Sequence, residues 1–198
     1  MSVRDPDVRK ILCRELENER NGDPSCVVVE EFGLCQHSAR VDVLVVNGTL
    51  HGYEIKSEVD NLDRLPDQQS VYNKILDRVT VVAADAHLRQ LLALVPPWWG
   101  VWRVDAKGGG AEIEKVRLEA QNPSIDPHSL VQLLWRDEAI ALARECALDS
   151  RLLRKPRSII WDELAKVLSV DDLRLRVRDA IKKRFASRWI VRSQSRGG

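Results

Sequence analysis

The sequence predicts an α/β domain with a mixed central sheet and helices on both sides, built in the order αβββαβ and followed by a β-hairpin and a helical extension. Three observations predict it. Apolar residues recur at strand spacing in four runs between Cys26 and Ala84, helical periodicity brackets and interrupts those runs, and the composition turns helical after Pro127. The expected division is a core with its added hairpin over 1–120 and a helical extension, basic at its end, over 121–198.

Pro6 to Glu19 carries Val8, Ile11, Leu12 and Leu16 at helical spacing, and Asn21-Gly22-Asp23-Pro24 supplies the stop. Cys26 to Phe32 is β-branched and apolar, hence a strand. After the loop Gly33 to Ser38 come a strand from Arg40 to Val46, a turn at Asn47-Gly48, a strand from Leu50 to Ser57, and a helix carrying Gln68, Gln69 and Tyr72. Val79 to Ala84 is apolar without alternation, the pattern of a strand covered on both faces. A short helix, Ala86 to Val95, ends at Pro96-Pro97. Trp98, Trp99 and Trp102 then enter a strand that turns at Gly108-Gly109-Gly110 into Ala111 to Leu118, with edge packing of the three rings expected over base stacking. No Lys-Ser/Thr follows those glycines, which excludes a phosphate-cradling loop of that class. Helices are expected over His128 to Ala147, Ile159 to Leu168 and Asp171 to Ile190, with Ser193 to Gly198 disordered. In the last helix Leu173, Val177, Ile181, Phe185 and Trp189 form an apolar stripe.

Composition narrows the function classes. The 198 residues are 44% hydrophobic and 31% charged, ordinary for a globular protein. Cys13, Cys26, Cys35 and Cys146 show neither C-x-x-C pairing nor zinc spacing with histidine, so reduced thiols and no structural zinc are expected. No apolar run reaches membrane-spanning length, and the first ten residues are charged, which predicts a cytoplasmic protein without a membrane partner. The net charge of +1 is unevenly spread. From Asp171 onward nine Lys or Arg face three Asp, a local +6 that leaves −5 on the rest. Lys182, Lys183 and Arg184 are the expected polyanion contacts there, beside the alternative of a solvated amphipathic helix. The oligomeric state is left open between monomer and homodimer.

The chemistry rests on the hairpin. Alternate residues of a strand share a face, so Glu54 and Lys56 point one way. A two-residue turn at Asn47-Gly48 would set Asp42 opposite Tyr53, on the wrong face. A three-residue loop through Val46 and Asn47, with Gly48 left-handed, pairs Val45 with Thr49 and Asp42 with Gly52, making Glu54 the diagonal neighbour of Asp42. Two crowded carboxylates repel unless positive charge lies between them. Lys56 supplies one charge and a hard, oxygen-liganded cation such as Mg2+, with Mn2+ as substitute, supplies the rest. Phosphodiester hydrolysis is the reaction such a cluster suits. On this reading, replacing either carboxylate by alanine relieves repulsion and leaves the fold intact or more stable. The alternative is a polar face on an amphipathic hairpin.

These residues resemble the PD-(D/E)xK nuclease superfamily, whose strand Asp and following Glu-x-Lys match Asp42, Glu54 and Lys56. The string from Arg40-x-Asp42 through Glu54-Ile55-Lys56-Ser57 to Gln68 is similar to a group of small bacterial nuclease-like proteins within it. Gln68-x-x-x-Tyr72 is similar to the glutamine-tyrosine motif of helicase-associated exonucleases. The resemblance covers roughly Cys26 to Ala84. It implies a restriction-endonuclease-like core, Mg2+-dependent cleavage of DNA, Asp42 and Glu54 as metal ligands, the Ile55 carbonyl as a third, and Lys56 beside the attacking water. A further acidic ligand falls to Glu31 or to Glu15, with Glu31 the better match. Arg40, Arg64, Gln68 and Tyr72 are the expected nucleic-acid contacts. A catalytically silent nucleic-acid-binding or protein-interaction module that keeps the fold is the competing reading.

Overall fold

The computed structural model describes residues 5–19, 23, 25–107 and 110–194, with side chains described throughout these except at 37, 106, 107, 110, 111 and 186–194. Helix α1 (Asp5–Glu19) leads into strands β1 (Val27–Leu34), β2 (Ala39–Val46) and β3 (Leu50–Lys56). Helix α2 (Leu65–Ile75), β4 (Arg78–Ala84), α3 (Leu88–Leu94), β5 (Gly100–Lys107) and β6 (Gly110–Arg117) follow. The remainder is helical: α4 (Pro127–Val131), α5 (Arg136–Glu145), α6 (Arg157–Val167) and α7 (Val170–Gln194). The six strands form one mixed sheet in sequential order. The pairs β1–β2, β2–β3 and β5–β6 are antiparallel, whereas β3–β4 and β4–β5 are parallel. The parallel pairs require crossovers, supplied by α2 and α3.

Each face of the sheet has its own apolar core. Val8, Leu12 and Leu16 of α1 pack with Val43, Tyr53, Ile55, Val82 and Trp102 on one face. On the other, Leu44, Val46, Leu50, Val79 and Val81 meet α2 and α3 and continue without a break into α4 to α7. The boundary expected near residue 120 therefore coincides with no break in the core. The stripe on α7 is seated as its spacing predicts, with Leu173, Val177 and Ile181 fully buried and Phe185 partly so. Trp189 and the turn Gly108-Gly109 lie outside the described side chains or residues, as does most of the expected stop at 21–24.

Several boundaries differ from expectation. The long helix expected over His128 to Ala147 is two helices. Asp126 caps α4 by accepting from the Ser129 amide at 2.9 Å, and the chain then tightens to i→i+3 bonds at Leu133 and Leu134. Trp135 is extended, and Glu138 accepts from its amide at 2.7 Å to start α5. Because Leu130, Val131, Leu133 and Leu134 are all buried, the apolar pattern runs through the break and conceals it. Helix α7 extends through Gln194, so Ser193 and Gln194 are helical rather than disordered.

The extension is clamped to the sheet by a buried carboxylate. Asp77, 1% exposed, accepts from the Leu50 amide at 2.8 Å and meets Arg174 of α7 at 2.9 Å. The sheet comes equally close to α2's end at Gly52, where an added Cβ would lie 2.5 Å from Leu76 Cδ1 and 3.1 Å from Val41 Cγ2. Gly52→Ala is expected to destabilise the fold by about 2 kcal/mol through overpacking, read as a lowered denaturant midpoint.

Candidate functional site

The β2–β3 hairpin has a three-residue connection with Gly48 left-handed at φ 70°, but it sits one residue later than expected. Val46 pairs with Leu50 across Asn47-Gly48-Thr49, and Val45 pairs with His51, not Thr49. Asp42 is accordingly not opposite Gly52. The last backbone pair is Val43–Tyr53, so the next position along brings Asp42 toward Glu54 directly rather than diagonally. Both loops have the same parity, which is why the error in register leaves the two carboxylates together.

A second irregularity opens the site. Along β1 and β2 the pairing proceeds evenly except that Glu31 and Asp42, facing each other, are not paired. Glu31 has φ 57°, a left-handed conformation unusual for a residue with a Cβ. Alternation resets there on both strands. Val29 and Leu44 precede the break on the α2 side, and Phe32 and Val41 follow it on that same side. Asp42 therefore stands at the point where the strand changes faces. It is reached by Arg9 of α1 from one side and lies near Glu54, which contacts α2, on the other. Its carboxylate takes the Ile55 amide at 2.7 Å, in place of a strand partner.

Glu54 is 2% exposed and fully bonded. Its Oε1 accepts from Lys56 Nζ at 2.8 Å and from Gln68 Nε2 at 2.6 Å, and its Oε2 accepts from the Tyr72 hydroxyl at 2.7 Å. Asp42, Glu54, Lys56 and Gln68 line a cleft of about 740 Å³ together with Glu31, Arg40 and Arg64. Ile55 lines it too, although its side chain is buried in the opposite core, so it presents main-chain atoms. Burial first, and the neighbouring Glu54 second, raise the Asp42 carboxyl to about 7 against the pull of the Ile55 amide and Arg9.

Some assignments change. Tyr72 is completely buried with its hydroxyl 2.7 Å from both Glu54 Oε2 and the Arg40 carbonyl, two acceptors that share its one proton, so it cannot touch a nucleic acid and instead positions Glu54. Arg184 is turned inward, its side chain 7% exposed, where it pairs with Glu138, bonds the Leu133 carbonyl at 2.9 Å and covers the Trp135 ring. It is not a surface cation. Lys183 is exposed and Lys182 half-buried, both remote in sequence from the cleft lining. Glu31 lies in the cleft, whereas Glu15 is outside its lining and pairs with Lys115. Yet the Glu31 oxygens are held by Arg9 at 2.6 Å and Arg40 at 2.7 Å. Among the described residues no three His, Cys, Asp or Glu side chains are grouped to hold a metal ion. Arg40 and Arg64 are exposed at the rim.

Sequence reasoning missed Arg9, which binds Asp42 through both its carbonyl at 3.0 Å and its carboxylate at 3.3 Å. Its only signal was a cation beside the apolar stripe of α1. Asp60 was also missed; it ties down the end of β3 by accepting from the Ser57 amide at 2.7 Å. No helix among the described residues is long and apolar enough to cross a membrane.

Residues 2–194 match the family described as Bacteriophage P4 protein cII. Protein cII of Enterobacteria phage P4 is 35% identical over 159 residues, covering 80% of this chain and 59% of the phage protein. The chain thus spans about three fifths of the length of that relative. A protein of unknown function from Silicibacter pomeroyi is similar in structure with a TM-score of 0.44 and 23% identity, over 63% of this chain and 77% of that one.

Proposed function

We propose a function for a chain that belongs to the Bacteriophage P4 protein cII family: it is a Mg2+-dependent nuclease of the PD-(D/E)xK type, hydrolysing phosphodiester bonds in DNA. The observation that carries the reading is the convergence of Asp42, Glu54, Lys56 and Gln68 on one cleft at a strand break. The order αβββαβ, with an antiparallel β1–β2–β3 and a parallel β4, supports a restriction-endonuclease-like core.

The donor set fits a hard cation. Asp42 and Glu54 are oxygen donors in one cleft, burial and mutual repulsion hold Asp42 toward its neutral form, and Ile55 offers main-chain atoms between them. Mg2+ is commonly held by one or two carboxylates with water and substrate phosphate completing its shell, so a third acidic side chain is not required. When bound, such an ion supplies positive charge at the scissile phosphate and acidifies water. The chain's own residues do the rest. Tyr72 and Gln68 fix the Glu54 carboxylate, the Ile55 amide and Arg9 orient Asp42, and Lys56 places an ammonium where charge grows on the phosphate. Arg40 and Arg64 at the rim are phosphate contacts that carry no sequence information. Lys182 and Lys183 extend the cationic surface on α7.

The engagement of Glu31 by two arginines favours the second reading, a catalytically silent nucleic-acid-binding or protein-interaction module. Incubation with linear, circular, single-stranded and branched DNA, in Mg2+ or Mn2+ and in chelator, separates the two. Nuclease function predicts metal-dependent cleavage that Lys56→Ala reduces at least about a hundredfold without loss of metal binding. Absence of cleavage from every substrate in both metals would assign the silent module.

A further inference from the structure

A groove of about 520 Å³ adjoins the cleft, and Glu31 lines both. Left-handed backbone is concentrated on it. Glu31 at φ 57°, Cys35 at 43° and Gln36 at 55° all line this groove, and only one other non-glycine residue among those described has positive φ. Each such residue costs of order 1 kcal/mol and persists where surrounding structure enforces it, a pattern associated with binding sites.

Trp135 also lines the groove, 56% exposed although the other tryptophans with described side chains are less so. It is held from behind. Arg184 lies over one face of the ring with its guanidinium carbon 4.1 Å from the centroid, and Glu138 binds both that guanidinium and the Trp135 amide. One face is therefore covered and fixed while the ring remains open to solvent. Gln36 accepts from Arg157 at 3.3 Å, which places a partly exposed cation, also lying over the Trp161 ring, along the groove. The acidic side of the groove is Glu30 and Glu31, of which Glu31 is matched by Arg9 and Arg40.

We propose that this groove takes an unpaired strand of the nucleic acid whose phosphate enters the cleft, with one base stacked on the open face of Trp135 and the backbone passing Arg157. The proposal rests on the nuclease reading and adds a substrate class, DNA with a single-stranded segment beside the scissile bond. A base can stack on a side chain only when it is out of a duplex, and a preformed aromatic platform beside cations is the general means of holding single strands. Arg184 against the ring, itself part of the groove lining, adds cation–π polarisation.

The test measures binding of the full chain, in chelator so that nothing is cut, to a fluorescent twelve-nucleotide thymidine strand and to a duplex of equal length. Wild type is expected to prefer the single strand, Trp135→Ala to lose about tenfold of that affinity, and Trp135→Phe, which keeps a ring, to lose little. Quenching of tryptophan emission by the strand should disappear in Trp135→Phe. Equal binding of single strand and duplex, or unchanged affinity in Trp135→Ala with circular dichroism intact, overturns the proposal; the second is what a peptide groove would give. A failure of the nuclease reading looks different: no cleavage by wild type, with the Trp135 effect on binding retained.

Discussion

Asp42→Asn is expected to abolish DNA cleavage and yet make the metal-free protein more stable at pH 8. The amide oxygen of the substituted side chain can still accept the Ile55 amide, the Arg9 bond to the residue 42 carbonyl is unaffected, and Arg9 keeps Glu31. What disappears is a charge that burial and Glu54 oppose. The folded carboxyl titrates at about 7, above its ordinary 3.8, so the folded state retains a proton that the unfolded state has released across that interval. Asp42 thus makes stability fall as pH rises from about 4 to about 7, with no further change above. Denaturation of wild type and Asp42→Asn across that range should give curves that meet near pH 4 and separate by about 1–3 kcal/mol at pH 8, after allowance for the part-exposed side chain. Saturating Mg2+ should close the gap in wild type alone, since ligation favours the ionised carboxylate. A constant separation at all pH values would show that Asp42 does not titrate as described.

Glu54→Ala is expected to behave in the opposite way. Its removal takes the counter-charge from the Lys56 ammonium, whose side chain is 9% exposed and which keeps only the Gln68 oxygen at 3.3 Å, and it takes the 2.6 Å acceptor from the Gln68 amide, whereas the Tyr72 hydroxyl keeps the Arg40 carbonyl. Breaking a buried pair by removing one partner costs about 3–5 kcal/mol, so urea denaturation should show a large loss of stability. Glu54→Ala combined with Lys56→Met should recover much of it, because the unpaired charge is gone. A stability unchanged in Glu54→Ala would mean that Lys56 and Glu54 are not paired in solution. The simple argument from two repelling carboxylates applies to Asp42 and fails for Glu54, whose burial among three donors was invisible in the sequence.

The two carboxylates differ in how they were legible. Glu54-Ile55-Lys56 could be assigned to one strand because alternation is local, and the succession of strands and helices followed from runs such as Val79 to Ala84, whereas the order of strands in the sheet did not. The hairpin register was not legible, since Asn47-Gly48-Thr49 admits more than one three-residue loop; the site survived because both loops keep parity. The break at Glu31 was hidden for a different reason. Glutamate carries no preference for left-handed backbone, so its φ of 57° is imposed by tertiary packing rather than by its own chemistry. Long-range partners were equally unreadable. Arg9 meets Asp42 across 33 residues, and Arg184 meets Glu138 across 46. The basic stretch on α7 illustrates the consequence: Arg174 and Arg178 face the buried Asp77 and Arg184 faces Glu138, so part of its surplus charge is neutralised inside the fold.

The central claim is that Asp42 and Glu54 together hold a divalent cation at the cleft. Isothermal titration of Mn2+ or Mg2+ into the full chain, with a non-hydrolysable phosphorothioate DNA strand present, tests it most directly. The account predicts saturable binding in wild type and Lys56→Ala, weakening below pH 7 as Asp42 takes up its proton, and none in Asp42→Asn. No binding by wild type at millimolar metal, or equal binding by Asp42→Asn, would contradict it.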